Sequence, residues 1–215
     1  KRLVRYRNKW LLDKISRVAS PLRSILEIGP GKGDFAYTCR DRGIAYTGIE
    51  INENLAEVLR KDGFTIVTAQ VPPLLTTGTF DSIYMNQVFE HMPNANTALE
   101  LLTSCYNCLS PNGVLLIAAP DYGMWKEDFF TSDYSHEYPV SAERLQQLLS
   151  DSRFDVVELG YYSLTMSGKA LCAMLTGVVR STWMIGLFHL FFGRRALKVK
   201  TSILPSVYAI AVKRP

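Results

Sequence analysis

An α/β fold with a doubly wound, mostly parallel sheet is predicted by three features of the sequence. From residue 25 onward, short apolar runs alternate with stretches of helical periodicity. The first run, Ile25-Leu26-Glu27-Ile28, breaks at Gly29-Pro30-Gly31-Lys32-Gly33, and a helical stretch begins at Asp34. The run at residues 114–119 is continuously apolar, as expected of a parallel strand covered on both faces.

Residues 1–20 read as an amphipathic helix, with Trp10, Leu11, Ile15, Val18 and Ala19 at helical spacing and Pro21 as its stop. Such a helix either packs over the sheet or touches a membrane. Residues 25–28 form the first strand and 34–42 the first core helix. The second strand, residues 44–50, delivers Glu50 at its C-terminal tip. A short helix at 54–61 turns Leu55, Val58 and Leu59 inward, and a third strand covers 64–67. Pro72-Pro73 forbids continuation of that strand.

The fourth strand spans residues 80–86 and leads into Gln87-Val88-Phe89-Glu90-His91. Open α/β sheets bind ligands beyond the carboxyl ends of their strands, which places Asn86, Gln87 and His91 at the expected crevice. A helix at 96–109 precedes the turn Ser110-Pro111-Asn112-Gly113 and the fifth strand. Residues 123–139 lack periodicity yet carry Trp125, Asp133, Tyr134, His136 and Glu137, the profile of a lid or substrate wall. Ser141 fits an N-cap, with Val140 and Leu145 as a hydrophobic staple, for a helix at 142–149. Strands at 154–159 and 206–213 bring the number to seven.

Between those two strands, residues 160–205 exceed a minimal fold. The stretch 170–192 is mostly apolar but interrupted by Arg180, His189 and glycines. A charge in mid-stretch argues against a membrane span. Two short helices are expected, forming an apolar lid, a membrane-surface patch or a pair buried on the domain. Basic Arg194, Arg195, Lys198 and Lys200 follow. The 215 residues are read as one domain, with residues 1–21 as its N-terminal helix and 160–205 as its insertion.

A strand, a glycine turn and a helix start gather backbone N–H groups at one point, and glycine permits both the unusual dihedrals and close approach of a ligand. Glu50, on the next strand tip, suits a bidentate hold on two ribose hydroxyls. The spacing Glu27-x-Gly29-x-Gly31-x-Gly33 resembles the first motif of class I S-adenosylmethionine (SAM)-dependent methyltransferases. A dinucleotide fingerprint spaces its glycines differently and usually lacks the acid, which disfavours an NAD(P)-dependent oxidoreductase. Phe80-Asp81, Phe89-Glu90-His91, Asp133-Tyr134-Ser135-His136 and Tyr138–Ser141 resemble the small-molecule branch, the methyltransferase type 11 and type 23 domains.

The resemblance implies a Rossmann-like sheet whose last strand is antiparallel. It implies SAM as cofactor, held by Glu27, Gly29, Gly31, Gly33, Glu50, Asn86 and Gln87, with Gln70 where the family often has an acid. The implied reaction is methyl transfer to a small-molecule acceptor, with His136 and His91 as catalytic candidates. Motifs of amine-methylating DNA enzymes and ribose-methylating RNA enzymes are missing, so a nucleic-acid methyltransferase is the rival that basic ends alone favour.

Charge and cysteines bound the setting. No acidic residue follows Glu158, so the net charge of +4 hides an acidic body between basic ends. Basic ends suit an anionic partner: phospholipid, a phosphorylated substrate or nucleic acid. A lipid-linked or sugar-bearing amphiphile is therefore the expected acceptor, and peripheral contact with an anionic membrane the expected location. Cys39, Cys105, Cys108 and Cys172 form no secreted framework, which predicts a cytoplasmic protein. Cys105 and Cys108 read as one face of a helix, and no metal site is expected.

Overall fold

The structure is a computed structural model that describes residues 2–76 and 78–214; Lys1 and the side chains of His189 and Arg194, part of the expected basic and apolar segments, lie outside what it describes. Helix α1 (Arg2–Val18) precedes β1 (Ser24–Ile28), α2 (Asp34–Asp41), β2 (Ala45–Glu50), α3 (Glu53–Lys61) and β3 (Thr65–Thr68). Then come β4 (Phe80–Asn86), a 3-10 turn at Phe89–His91, α4 (Ala95–Cys108) and β5 (Leu109–Pro120). Short helices α5 (Tyr122–Trp125) and α6 (Asp128–Ser132) lead to α7 (Ala142–Asp151) and β6 (Phe154–Ser163). The chain ends with β7 (Met166–Ser167), α8 (Lys169–Val179), α9 (Thr182–Phe192), a 3-10 turn at Gly193–Arg195, α10 (Ala196–Ile203) and β8 (Ser206–Lys213).

The strands lie in the order β3-β2-β1-β4-β5-β8-β6-β7. Strands β1 to β5 are mutually parallel, while β8 inserts antiparallel between β5 and β6. The seven expected strands are present, and β7 adds an eighth, two-residue strand paired antiparallel to the end of β6.

Alternation along the strands explains the continuous apolar runs. Ile25, Tyr84, Leu116 and Ile210 face α1 and α2, where they meet Leu11, Leu12, Ile15 and Phe35. Leu26, Ile83, Leu115 and Ala209 face the other way, onto Leu101, Leu102, Leu145 and Leu149 of α4 and α7. Both faces of the sheet are thus dry, and each buried aliphatic side chain contributes about 1.5–3 kcal/mol. Helix α1 packs on the sheet as one of its two expected roles required; Leu12 points inward while Val18, expected inward, is exposed. Ser141 caps α7 by accepting the Arg144 N–H at 3.2 Å, and Val140 and Leu145 are buried beside it.

The insertion forms a roof. Val179, Phe188, Ala196 and Leu204 pack against Trp125 and Phe129 of α5 and α6, so the first part of the 123–139 stretch is two short helices, while residues 133–139 have no regular structure. Arg180 sits in the break between α8 and α9, where it pairs with Glu127 and Asp128 and donates to the Trp125 carbonyl at 2.7 Å. Lys200 on α10, a helix that the sequence did not suggest, reaches Asp128 at 2.7 Å. No single helix among the described residues is long and apolar enough to cross a membrane; α8 and α9 reach that length and composition only as a pair, bent by 69°. Their outer face exposes Leu171, Met174, Trp183, Leu190 and Phe191.

Candidate active site

The strand order reverses between β1 and β4, and the loops that follow these strands diverge there. Gly29, Gly31 and Gly33 have φ of +71°, +55° and +78°, a region that side chains disfavour. A Cβ on Gly29 would lie 2.6 Å from Val88 Cγ2, and one on Gly33 would overlap Leu59. Around Gly31 the space is open, and its N–H donates to Glu50 Oε2 at 2.8 Å. Glu50 Oε1 accepts the Asn52 N–H at 2.9 Å, so two backbone amides aim the carboxylate along the loop. Glu27 lies beneath the turn and accepts the Tyr46 hydroxyl at 2.5 Å. Burial pushes its carboxyl up to about 8; the Tyr46 bond pulls down, while Glu50 and Asp34 push further up.

A cleft of about 630 Å³ opens beside this loop, lined by Gly29, Glu50, Gln70, Gln87, His91 and Tyr134 among others. Its size matches a small-molecule site. Gln70 is exposed just past the end of β3, and Gln87 has φ of +60°, a sparsely populated conformation held by its N–H bond to the Ala118 carbonyl at 2.9 Å. Asn86 turns elsewhere: its Oδ1 accepts the Tyr162 hydroxyl at 3.0 Å, and it does not line the cleft. The structure therefore brings together Gly29, Glu50, Gln70, Gln87 and His91, keeps Glu27, Gly31 and Gly33 as the base of the loop, and sets Asn86 apart. Tyr46, which holds Glu27, carried no sequence signal, because only the pairing of β1 with β2 brings the two together.

Of the two candidate histidines, His91 lines the cleft, while His136 is buried and does not. His91 and His136 stand with ring centroids 5.0 Å apart. His136 is buried against Phe129 and Trp125, and its Nδ1 donates to the Phe129 carbonyl at 2.7 Å. Burial lowers its pKa, the Phe129 carbonyl bond and Asp133 raise it, and His91 lowers it, with a net downward shift. His91 Nδ1 lies 3.0 Å from the Ser135 carbonyl and 3.0 Å from its hydroxyl, which itself donates to Asp133 Oδ1 at 2.6 Å. Carbonyl oxygens only accept, so each imidazole carries a proton on Nδ1, and the lowered pKa of His136 leaves a lone pair on its Nε2. Close to both lies Glu90, fully buried, whose backbone carbonyl accepts the Glu137 and Tyr138 N–H groups at 3.0 Å.

The donor set suits SAM: a carboxylate with open space at the glycine turn, a second acid beneath it, and a cleft lined at one side by His91, with His136 beside that ring. Comparisons with known proteins agree. Residues 3–159 match a family described as a methyltransferase domain. No curated protein sequence matches the chain. Among solved structures, a SAM-dependent methyltransferase from Archaeoglobus fulgidus is 21% identical, with a TM-score of 0.64 over 97% of this chain and 94% of its own. A SAM-dependent methyltransferase from Methanosarcina mazei is 14% identical, with a TM-score of 0.66 over 95% of this chain and 97% of its own. Phosphoethanolamine N-methyltransferase 2 of Haemonchus contortus, solved with phosphomonomethylethanolamine and S-adenosylhomocysteine, is 17% identical. It aligns over 97% of this chain and 52% of its own with a TM-score of 0.66. At these identities the likeness is one of fold.

Proposed function

The chain belongs to the methyltransferase domain family, and from that premise we propose that this SAM-dependent methyltransferase methylates an oxygen of an amphiphilic small molecule, one bearing a lipid or a sugar. Bound SAM supplies a methyl group already activated by its sulfonium. Glu50 would hold the ribose hydroxyls, the amides of the glycine turn would meet the carboxylate end, and Glu27 would face the ammonium. Gln70 would accept a hydrogen bond from the adenine amine. The protein's remaining work is to bring the acceptor oxygen into line, exclude water and receive a proton. His136, neutral and with a free Nε2, is suited to that last task, with His91 beside it on the cleft wall.

One observation carries the choice of acceptor. The helices that fix His136, through the Phe129 carbonyl, are clamped by α8 to α10, and the outer face of α8 and α9 is apolar and open. Trp183 is 63% exposed, Leu190 75% and Phe191 72%, with exposed Arg195 and Lys198 nearby in the chain. An apolar face with basic residues at its border is the chemistry that meets an anionic lipid surface. A substrate with an apolar tail would then arrive from the side of the site that carries the imidazoles.

Transfer from methyl-labelled SAM into a cell extract tests the reading. Label is expected in the organic phase, as a methyl ether or ester by mass spectrometry, and Trp183→Glu is expected to abolish sedimentation with phosphatidylglycerol vesicles. Label confined to RNA or to water-soluble amines, or an enzyme that ignores vesicles, would refute it.

A further inference from the structure

We infer that Glu90, His91 and His136 form a divalent-cation site on the acceptor wall of the cleft. One ligand atom from each lies within 4.8 Å of the others. Closing onto a metal at about 2.0–2.2 Å requires roughly an ångström of side-chain movement.

Two independent observations point to a cation rather than to ordinary packing. Glu90 is 0% exposed, and neither of its carboxylate oxygens has a hydrogen-bond partner. Buried polar groups are almost always paired, and an orphaned carboxyl is costly to keep. Folding has nonetheless placed one of its oxygens within 4.8 Å of a nitrogen of each of two imidazoles. The imidazoles, in turn, are already set as ligands. The Phe129 carbonyl fixes the proton of His136 on Nδ1, and the Ser135 carbonyl does the same for His91. Metal-binding histidines are oriented in this way by an oxygen on the nitrogen that faces away from the metal.

Two imidazoles and one carboxylate suit Zn²⁺, Co²⁺ or Fe²⁺ better than Mg²⁺ or Ca²⁺. Three protein ligands leave a coordination position open, and His91 lines the cleft, so that position faces the acceptor. The inference deepens the proposed function at one point. An acceptor hydroxyl bound to the cation would lose its proton to solvent more readily, and His136 would act as a ligand instead of receiving that proton.

Cobalt absorption tests the site directly. The chelator-treated 215-residue chain is titrated with Co²⁺ and followed by its visible d–d bands, beside calorimetry of SAM on the same samples. The expected result is one equivalent bound, with affinity at least tenfold weaker in Glu90→Gln and in His136→Asn, while SAM binding in Glu90→Gln stays within a few-fold of wild type. Retained SAM binding certifies the fold of the variant. Three results would overturn the inference: no d–d bands in wild type at millimolar Co²⁺, unchanged affinity in both variants, or a thiolate charge-transfer band assigning the metal to Cys105 and Cys108. If SAM binds and methyl transfer withstands chelation, the methyltransferase reading survives and the cation site falls.

Discussion

Replacing Glu27 by Gln probes the glycine turn through a titration. In the folded chain the Glu27 carboxyl holds its proton up to about pH 8, chiefly because it is buried, against an ordinary value of 4.5. The unfolded chain releases that proton near pH 4.5. Between these limits the folded state binds more protons than the unfolded one, so stability falls as pH rises. Each unit costs about 1.4 kcal/mol, so Glu27 removes about 2–3 kcal/mol between pH 5 and pH 7. Glutamine does not titrate and keeps an oxygen for the Tyr46 hydroxyl. Relative to wild type, Glu27→Gln therefore gains about 2–3 kcal/mol of stability from pH 5 to pH 7, roughly 4–12 °C in Tm for a chain of this size. Thermal unfolding without SAM at pH 5, 6 and 7 measures it. A Tm difference that is flat across that range would refute the burial argument. The same carboxyl should ionise against the SAM ammonium, so wild type releases a proton on binding at pH 7 and the variant does not. Calorimetry in two buffers of different ionisation enthalpy separates these cases.

Other perturbations test neighbouring parts of the structure. Glu50→Ala should weaken SAM at least tenfold by calorimetry, because that carboxylate also holds the Gly31 and Asn52 amides. Undiminished binding would remove Glu50 from the ribose. Gly33→Ala should cost about 1–3 kcal/mol in urea unfolding, since φ is +78° and Leu59 occupies the space. Arg180→Met should cost about 2–3 kcal/mol and speed proteolysis between α8 and α9, because buried Asp128 would keep Lys200 alone as its charged partner.

Much of the fold was legible because it rests on local rules. Residues 80–86 and 206–213 were bounded correctly as strands, since apolar residues flanked by turn signals leave little choice. Ser141 was read as a cap from its own side chain and the staple around it. The roof was less legible. Arg180 looked like an interruption in an apolar run, whereas it is the ion-paired joint between two helices. Lys200 looked like surface charge, yet it lies on α10 and pairs with buried Asp128. Asn86 stands at the tip of β4 as expected, but Tyr162 claims its side chain. Each of these depends on a partner remote in sequence, which periodicity does not report.

The sequence by itself determined the α/β alternation, the glycine turn with Glu27 and Glu50 on adjacent strands, and the family. Those features follow from dihedral preference and from the spacing of residues close in the chain. The tertiary structure decided what surrounds each chemical group. It buried Glu27 against Tyr46, bound Nδ1 of both imidazoles to backbone carbonyls, and left the Glu90 carboxyl without a partner close to them. Ionisation and metal affinity depend on desolvation and on the exact set of neighbouring atoms, and only the packed chain assembles those neighbours.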